Sequence, residues 1–132
     1  MKKIMMALCM IMCLFATNAF AQEKVRGIET RLVKYDQEKA CVYCSTYDDV
    51  YGIEFTNRNS ISVSITMELW MKGSYNSYNR DYNNDKLEQS KDIVLEPGES
   101  YLWKIRKKRS SDGSLYYGNA DYYYKYEAYK LQ

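Results

Sequence analysis

The sequence predicts an all-β domain, a single antiparallel β-sandwich of about seven strands behind a cleavable signal peptide. Three observations carry this reading. Ile61, Val63, Ile65, Met67, Leu69 and Met71 alternate with Ser62, Ser64, Thr66, Glu68, Trp70 and Lys72. A strand uses such a period of two and a helix cannot. Turn chemistry recurs at short spacing, in Asn57-Arg58-Asn59-Ser60, Glu96-Pro97-Gly98-Glu99 and Ser110-Ser111-Asp112-Gly113. No segment after the leader repeats its apolar residues every 3.6 positions, as an amphipathic helix would.

Taken in order, Lys2 and Lys3 form a basic start, residues 4–16 an apolar run, and Ala19-Phe20-Ala21 a small-residue cleavage site. Residues 1–21 therefore read as a signal peptide and residues 22–132 as one domain. Leu8 and Met12 precede Cys9 and Cys13 where a lipid anchor would need a small residue. The expected location is the periplasm or the outside of a bacterial cell, with no transmembrane segment after cleavage. Strands are expected over residues 28–35, 40–47, 50–56, 61–72, 92–96, 101–107 and 121–131. Pro97 and Gly98 suit the two central positions of a type II turn, because proline fixes φ and glycine accepts positive φ. Tyr101, Trp103 and Ile105 share one face of their strand, and Tyr122, Tyr124, Tyr126 and Ala128 share one face of the last.

The chain carries 19 Lys+Arg and 17 Asp+Glu. Without Lys2 and Lys3 the balance is 17 against 17, which removes the electrostatic argument for a nucleic-acid partner. Fifteen tyrosines supply buriable area to a chain thin in aliphatic residues. There is no histidine, so Ser-His-Asp and Cys-His nucleophilic schemes are excluded, together with most metalloenzyme sites. No enzyme activity, cofactor or metal is expected.

Ile53-Glu54-Phe55-Thr56-Asn57-Arg58-Asn59-Ser60, the alternating strand after it, and Val94-Leu95-Glu96-Pro97-Gly98-Glu99-Ser100 resemble small secreted bacterial immunoglobulin-like domains. In those, one strand ends in an Asn-rich turn and a later one in a Pro-Gly-Glu turn. The resemblance covers about half of the mature chain and implies an immunoglobulin-like sandwich in which binding and adhesion are common and catalysis is not. It carries over no functional residue.

Four features are candidates for function. Cys41-Val42-Tyr43-Cys44 is a C-x-x-C segment, read first as a structural disulfide. In an extended strand its Cα atoms would lie about 10 Å apart, beyond the ~7 Å a bridge allows, so either the chain turns there or the thiols stay unpaired. A redox reading needs a thiolate at a helix N-terminus; Ser45-Thr46-Tyr47-Asp48-Asp49 follows instead. Residues 73–91 read as one long connection, in which Tyr75, Tyr78 and Tyr82 stand among Asn, Ser and Asp in the manner of adaptable binding loops. Tyr116 and Tyr117 lie in a second segment of that character. Asn79, Asp81, Asn83 and Asp85 alternate like calcium ligands, but Ser90 stands where the bidentate acid belongs, and a polar loop is preferred. Lys104, Arg106, Lys107, Lys108 and Arg109 form the basic cluster, a candidate for anionic envelope groups or a solvated strand end. The function expected is a secreted, non-catalytic module recognising a protein or glycan at the bacterial surface or in the periplasm. Two alternatives remain: an assembly component or inhibitor acting through strand-edge pairing, and a thiol-disulfide protein.

Overall fold

The computed structural model describes residues 23–131 apart from 77 and 79, and the side chains of 75, 76, 81 and 82 lie outside its description. The leader predicted over residues 1–21 lies outside it too. The strands are β1 (Ile28–Lys39), β2 (Tyr47–Asn57), β3 (Val63–Met71), β4 (Tyr75–Asn76), β5 (Asp81–Tyr82), β6 (Lys86–Leu95), β7 (Ser100–Arg109), β8 (Leu115–Tyr117) and β9 (Ala120–Lys130). Seven of them form one antiparallel sheet in the order β1-β2-β7-β8-β9-β3-β6, while among the described residues β4 and β5 pair only with each other.

The all-β, seven-stranded, antiparallel expectation holds, but the two separate sheets of a sandwich do not. β7 joins what a sandwich would keep apart. Its residues 100–107 pair with β2, and Lys108 and Arg109 pair with β8. The handover falls between Lys107 and Lys108, just past Arg106, whose φ of 56° is left-handed, a conformation that non-glycine residues rarely adopt. Opposite it, the β2 register slips between Tyr51 and Ile53. Gly52 sits at the slip, and a Cβ there would come within 2.6 Å of the Trp103 carbonyl oxygen. The sheet stays open at β1 and β6 yet curls far enough to bring β2 against β9. The Phe55 ring lies edge-on to Tyr124 and Tyr126, with centroids 6.3 and 5.5 Å away.

The core follows the predicted alternation. Val63, Ile65, Met67 and Leu69 are fully buried, and they meet Ile53, Phe55, Leu95, Trp103, Ile105 and Leu115 in one cluster. Ile61, expected to face inward with them, precedes β3 and is exposed, because Asn57 draws its carbonyl into the turn. Three further boundaries change. Of the strand expected over residues 40–47 only Tyr47, the first residue of β2, is extended: the Cys41–Cys44 bridge, with Cα atoms 5.0 Å apart, turns the chain there. β1 runs on to Lys39 instead. The long connection predicted over residues 73–91 is broken by the β4–β5 hairpin and ends where β6 starts at Lys86. β8 was not expected.

Asn57 closes one end of the sheet. Its Nδ2 group donates to the carbonyls of Ile61, Leu95 and Glu96 at 2.8, 3.1 and 3.2 Å. Its Oδ1 accepts from the backbone N–H and Nδ2 of Asn59 at 2.9 and 3.0 Å. Its main chain binds the Pro97–Gly98 turn, donating to the Glu99 carbonyl and accepting from the Gly98 N–H. That turn is the expected one, with Gly98 at a φ of 79° and the Glu99 N–H on the Glu96 carbonyl.

Replacing Asn57 by Ala should cost roughly 2–4 kcal/mol, because several buried groups lose their only side-chain partner. Ile65→Ala should cost ~2–5 kcal/mol while Ser64→Ala, on the other face, stays near neutral. Urea unfolding at constant m-value checks all three; equal losses at positions 64 and 65 would overturn the register.

Candidate functional site

The alternation that buries one side of β3 presents Ser64, Thr66, Glu68 and Trp70 on the other. Register places Trp70 between Tyr123 of β9 and Leu87 of β6. Three large side chains thus form a row across the outer face of three neighbouring strands. The Lys125 ammonium lies 5.1 Å from the Trp70 ring centroid and 5.7 Å from that of Tyr123, a cation–π arrangement. The Trp70 indole N–H donates to Glu68 at 3.3 Å. Below the row the register continues with Glu68, Ser90 and Lys125, then with Thr66, Asp92 and Glu127. An aromatic floor therefore borders carboxylates, hydroxyls and an ammonium.

The same three strands end at a cleft of about 180 Å³ under the β4–β5 hairpin. Met71, Lys86 and Ala120, the terminal residues of β3, β6 and β9, line it with Asn83, Asn84, Asn119 and Asp121. Its walls mix amides and charges with the apolar side chains of Met71 and Ala120. Asp85 fixes the hairpin over it. One carboxylate oxygen accepts from the Gly73 N–H at 2.6 Å and the other from the Tyr123 hydroxyl at 2.6 Å. The approach is close enough that a Cβ on Gly73 would overlap the Asn83 carbonyl oxygen at 1.8 Å. The Tyr123 hydroxyl, and after it the Gly73 N–H, hold the Asp85 carboxyl below the usual carboxylate range. The same bond to Asp85 pushes the Tyr123 phenol up.

Of the tyrosines singled out in the sequence, Tyr78 lies between β4 and β5 with 95% of its surface exposed. Tyr75 and Tyr82 face each other in the hairpin register, and their side chains lie outside the described residues. Asn79 of the calcium-like run lies outside them as well. Asp85 of that run staples the hairpin, and among the described residues no three His, Cys, Asp or Glu side chains converge on a metal site.

Tyr116 and Tyr117 lie on β8, between β9 and the basic cluster of β7, opposite Asp121 and Ala120. There Arg106 pairs with Asp36 at 3.0 Å and Glu38 at 3.4 Å, Lys107 with Glu88 at 3.2 Å, and Lys108 with Asp48 at 2.8 Å. The ammoniums of Lys107 and Lys108 also lie over the Tyr117 ring, at 5.2 and 5.7 Å. A hydrogen bond to Glu38 raises the Tyr117 phenol, and one to Asp48 raises Lys108. Lys104 lies over Tyr35 at 5.8 Å. Carboxylates of β1, β2 and β6 therefore match much of this charge. Arg109 ends the strand. Cys41 and Cys44 form the bridge described above, and among the described residues no helix stands beside it to lower a thiol pKa.

Sequence reasoning missed Trp70, Tyr123 and Lys125, and it read Asp85 only as part of a calcium-like run. The signal for Trp70 was present: it is the one large aromatic among the polar positions of the alternating strand. No protein-family model, curated protein or solved structure matches the chain.

The depressed Asp85 pKa has a sign. A folded pKa below the unfolded ~3.9 stabilises the fold above that pH, and the contribution disappears as pH falls through the folded value. Asp85→Asn should therefore flatten the fall of melting temperature below pH 4. The acid limb should not vanish, because Asp36, Asp49 and Asp112 are held low as well. Thermal melts from pH 7 to pH 2 on both proteins check this; identical acid limbs would mean the staple contributes nothing.

Proposed function

We propose that residues 22–132 form an exported, non-catalytic recognition module, related to immunoglobulin-like domains, that binds glycan across the outer face of β6, β3 and β9. The leader directs it to the periplasm or the cell surface. The observation that carries the reading is the row Leu87, Trp70 and Tyr123 with Lys125 against its rings. A pyranose offers an apolar C–H face and a rim of hydroxyls. Aromatic rings suit the first, and Glu68, Thr66, Asp92, Glu127 and Lys125 suit the second. The amide-lined cleft at the head of the row extends the same chemistry to a further sugar, under a hairpin whose tip carries Tyr78. The absence of histidine and the shallow form of the face favour binding over turnover.

A second reading has its own observation. Among the described residues β6 pairs only with β3, and Leu87 and Val94 on it are exposed, so its other edge suits strand addition by another chain.

Tryptophan fluorescence separates the two. Trp103 is buried and Trp70 lies on the outer face, so a ligand on the row changes the emission of Trp70 alone. A panel of neutral and acidic oligosaccharides should contain a ligand that does so. Trp70→Ala should weaken its binding at least tenfold, ~1.4 kcal/mol, with the melting temperature within a few degrees of wild type. If no sugar on the panel perturbs Trp70 while an extended peptide protects the β6 edge amides from exchange, the strand-pairing reading replaces this one.

A further inference from the structure

The β1–β2 hairpin ends in the turn closed by Cys41 and Cys44, and the residues between them, Val42 and Tyr43, are 80% and 97% exposed. Single apolar side chains on a surface are ordinary. Presenting two of them side by side on a covalently closed turn, away from the rest of the described residues, is not. The turn is fixed by the bridge, by the Cys44 N–H on the Cys41 carbonyl at 3.2 Å, and by the Ala40 N–H on the Thr46 carbonyl at 3.0 Å. None of these bonds packs the side chains they present. Among the described residues, Tyr43 has no hydrogen bond, ion pair or ring contact. A bridge closing so short a loop removes little freedom from the unfolded chain, so global stability is a poor account of it. Its effect is local. It removes the turn's freedom before any partner arrives, and a pre-ordered aromatic loses least on docking.

We propose that this tip is an anchor that inserts into an apolar pocket of a partner protein, with Tyr43 as the central buried side chain and Val42 beside it. Tyrosine in a fully desolvated pocket is a common centre of binding energy. A protrusion two residues wide requires a concave receptor, which a protein has and a lipid surface lacks. The lipid alternative is also weak in magnitude: Val42 and Tyr43 bury less apolar area than one myristoyl chain, whose membrane binding is already marginal. Lys39 is the only charged residue from 39 to 47, so no polybasic patch adds to it. The tip lies at the end of the hairpin away from the Pro97–Gly98 turn, and the proposal stands independently of the glycan face.

The test places a photoreactive benzoylphenylalanine at position 43 of the full chain, produced in its own cells, and illuminates the intact envelope. One discrete adduct with another protein is expected. Excess purified mature chain should suppress it. Val42→Ser/Tyr43→Ser, with the bridge intact and an unchanged melting temperature, should need at least tenfold more to do so, and Cys41→Ser/Cys44→Ser should also compete less well. Trp70→Ala should compete like wild type, so loss of the glycan face and loss of the tip are read apart. An adduct of two copies of this chain, an adduct with lipid, no adduct, or a Val42→Ser/Tyr43→Ser chain that competes like wild type would each overturn the proposal.

Discussion

Asn57 takes no part in the apolar core, yet its amide holds three segments that are far apart in sequence. The end of β2, the approach to β3 and the turn between β6 and β7 all meet at one side chain. β2 and β6 lie on opposite arms of the sheet order, so no ladder bond joins them. Hydrophobic burial draws the arms together without specifying their alignment, because it has no direction. A buried amide whose donors and acceptor are all matched does have direction, and a shift of the arms would strand those groups unpaired. The alignment of the curled sheet, and hence the seating of Phe55 against β9, depends on it.

The opposite end is held by charge. Lys107 is buried on β7, with its ammonium 4.3 Å from the Tyr122 ring centroid and paired to Glu88 of β6. It is the only charged residue among the buried side chains described. Its ring and its carboxylate offset the cost of taking an ammonium from water. Between these two ends β7 crosses from one arm to the other, and the left-handed Arg106 marks the crossing. The arms share a strand, so neither arm is a complete unit alone.

The legible parts of the fold were those in which one side of a strand is apolar along its length. β3, the outer half of β7 and the tyrosines of β9 have that property, and each was found with the correct face inward. β6 was half missed because Gln89 and Lys91 occupy inward positions next to Ile93 and Leu95, and an edge strand tolerates long polar side chains there. β8 has three residues, too few for any period to appear. Residues 40–47 were expected as extended chain, and the covalent bridge between Cys41 and Cys44 turned most of that segment instead. The site was less legible than the fold for a related reason. Trp70 stands out in the sequence, but its neighbours Tyr123, Lys125 and Leu87 are assigned by the pairing of β3 with β9 and β6, which no local pattern encodes. Asp85 shows the converse case, a residue with calcium-loop spacing that serves a hydroxyl and a backbone N–H.

The pairing of β3 carries a kinetic consequence. β3 is the most apolar strand of the molecule, and both of its neighbours come later in the chain; Val63 waits for Lys130. Loops of that length close slowly, and folding slows as pairing becomes less local. Until β9 arrives, Ile65, Met67 and Leu69 sit on a strand with an open edge even once β6 has paired with the other, the kind of segment that recruits identical segments from other copies. Ser64, Thr66 and Glu68 keep its second face polar and slow that recruitment. How long newly made chains must be kept apart is therefore set by the arrival of β9, the partner that shields the middle of the sheet.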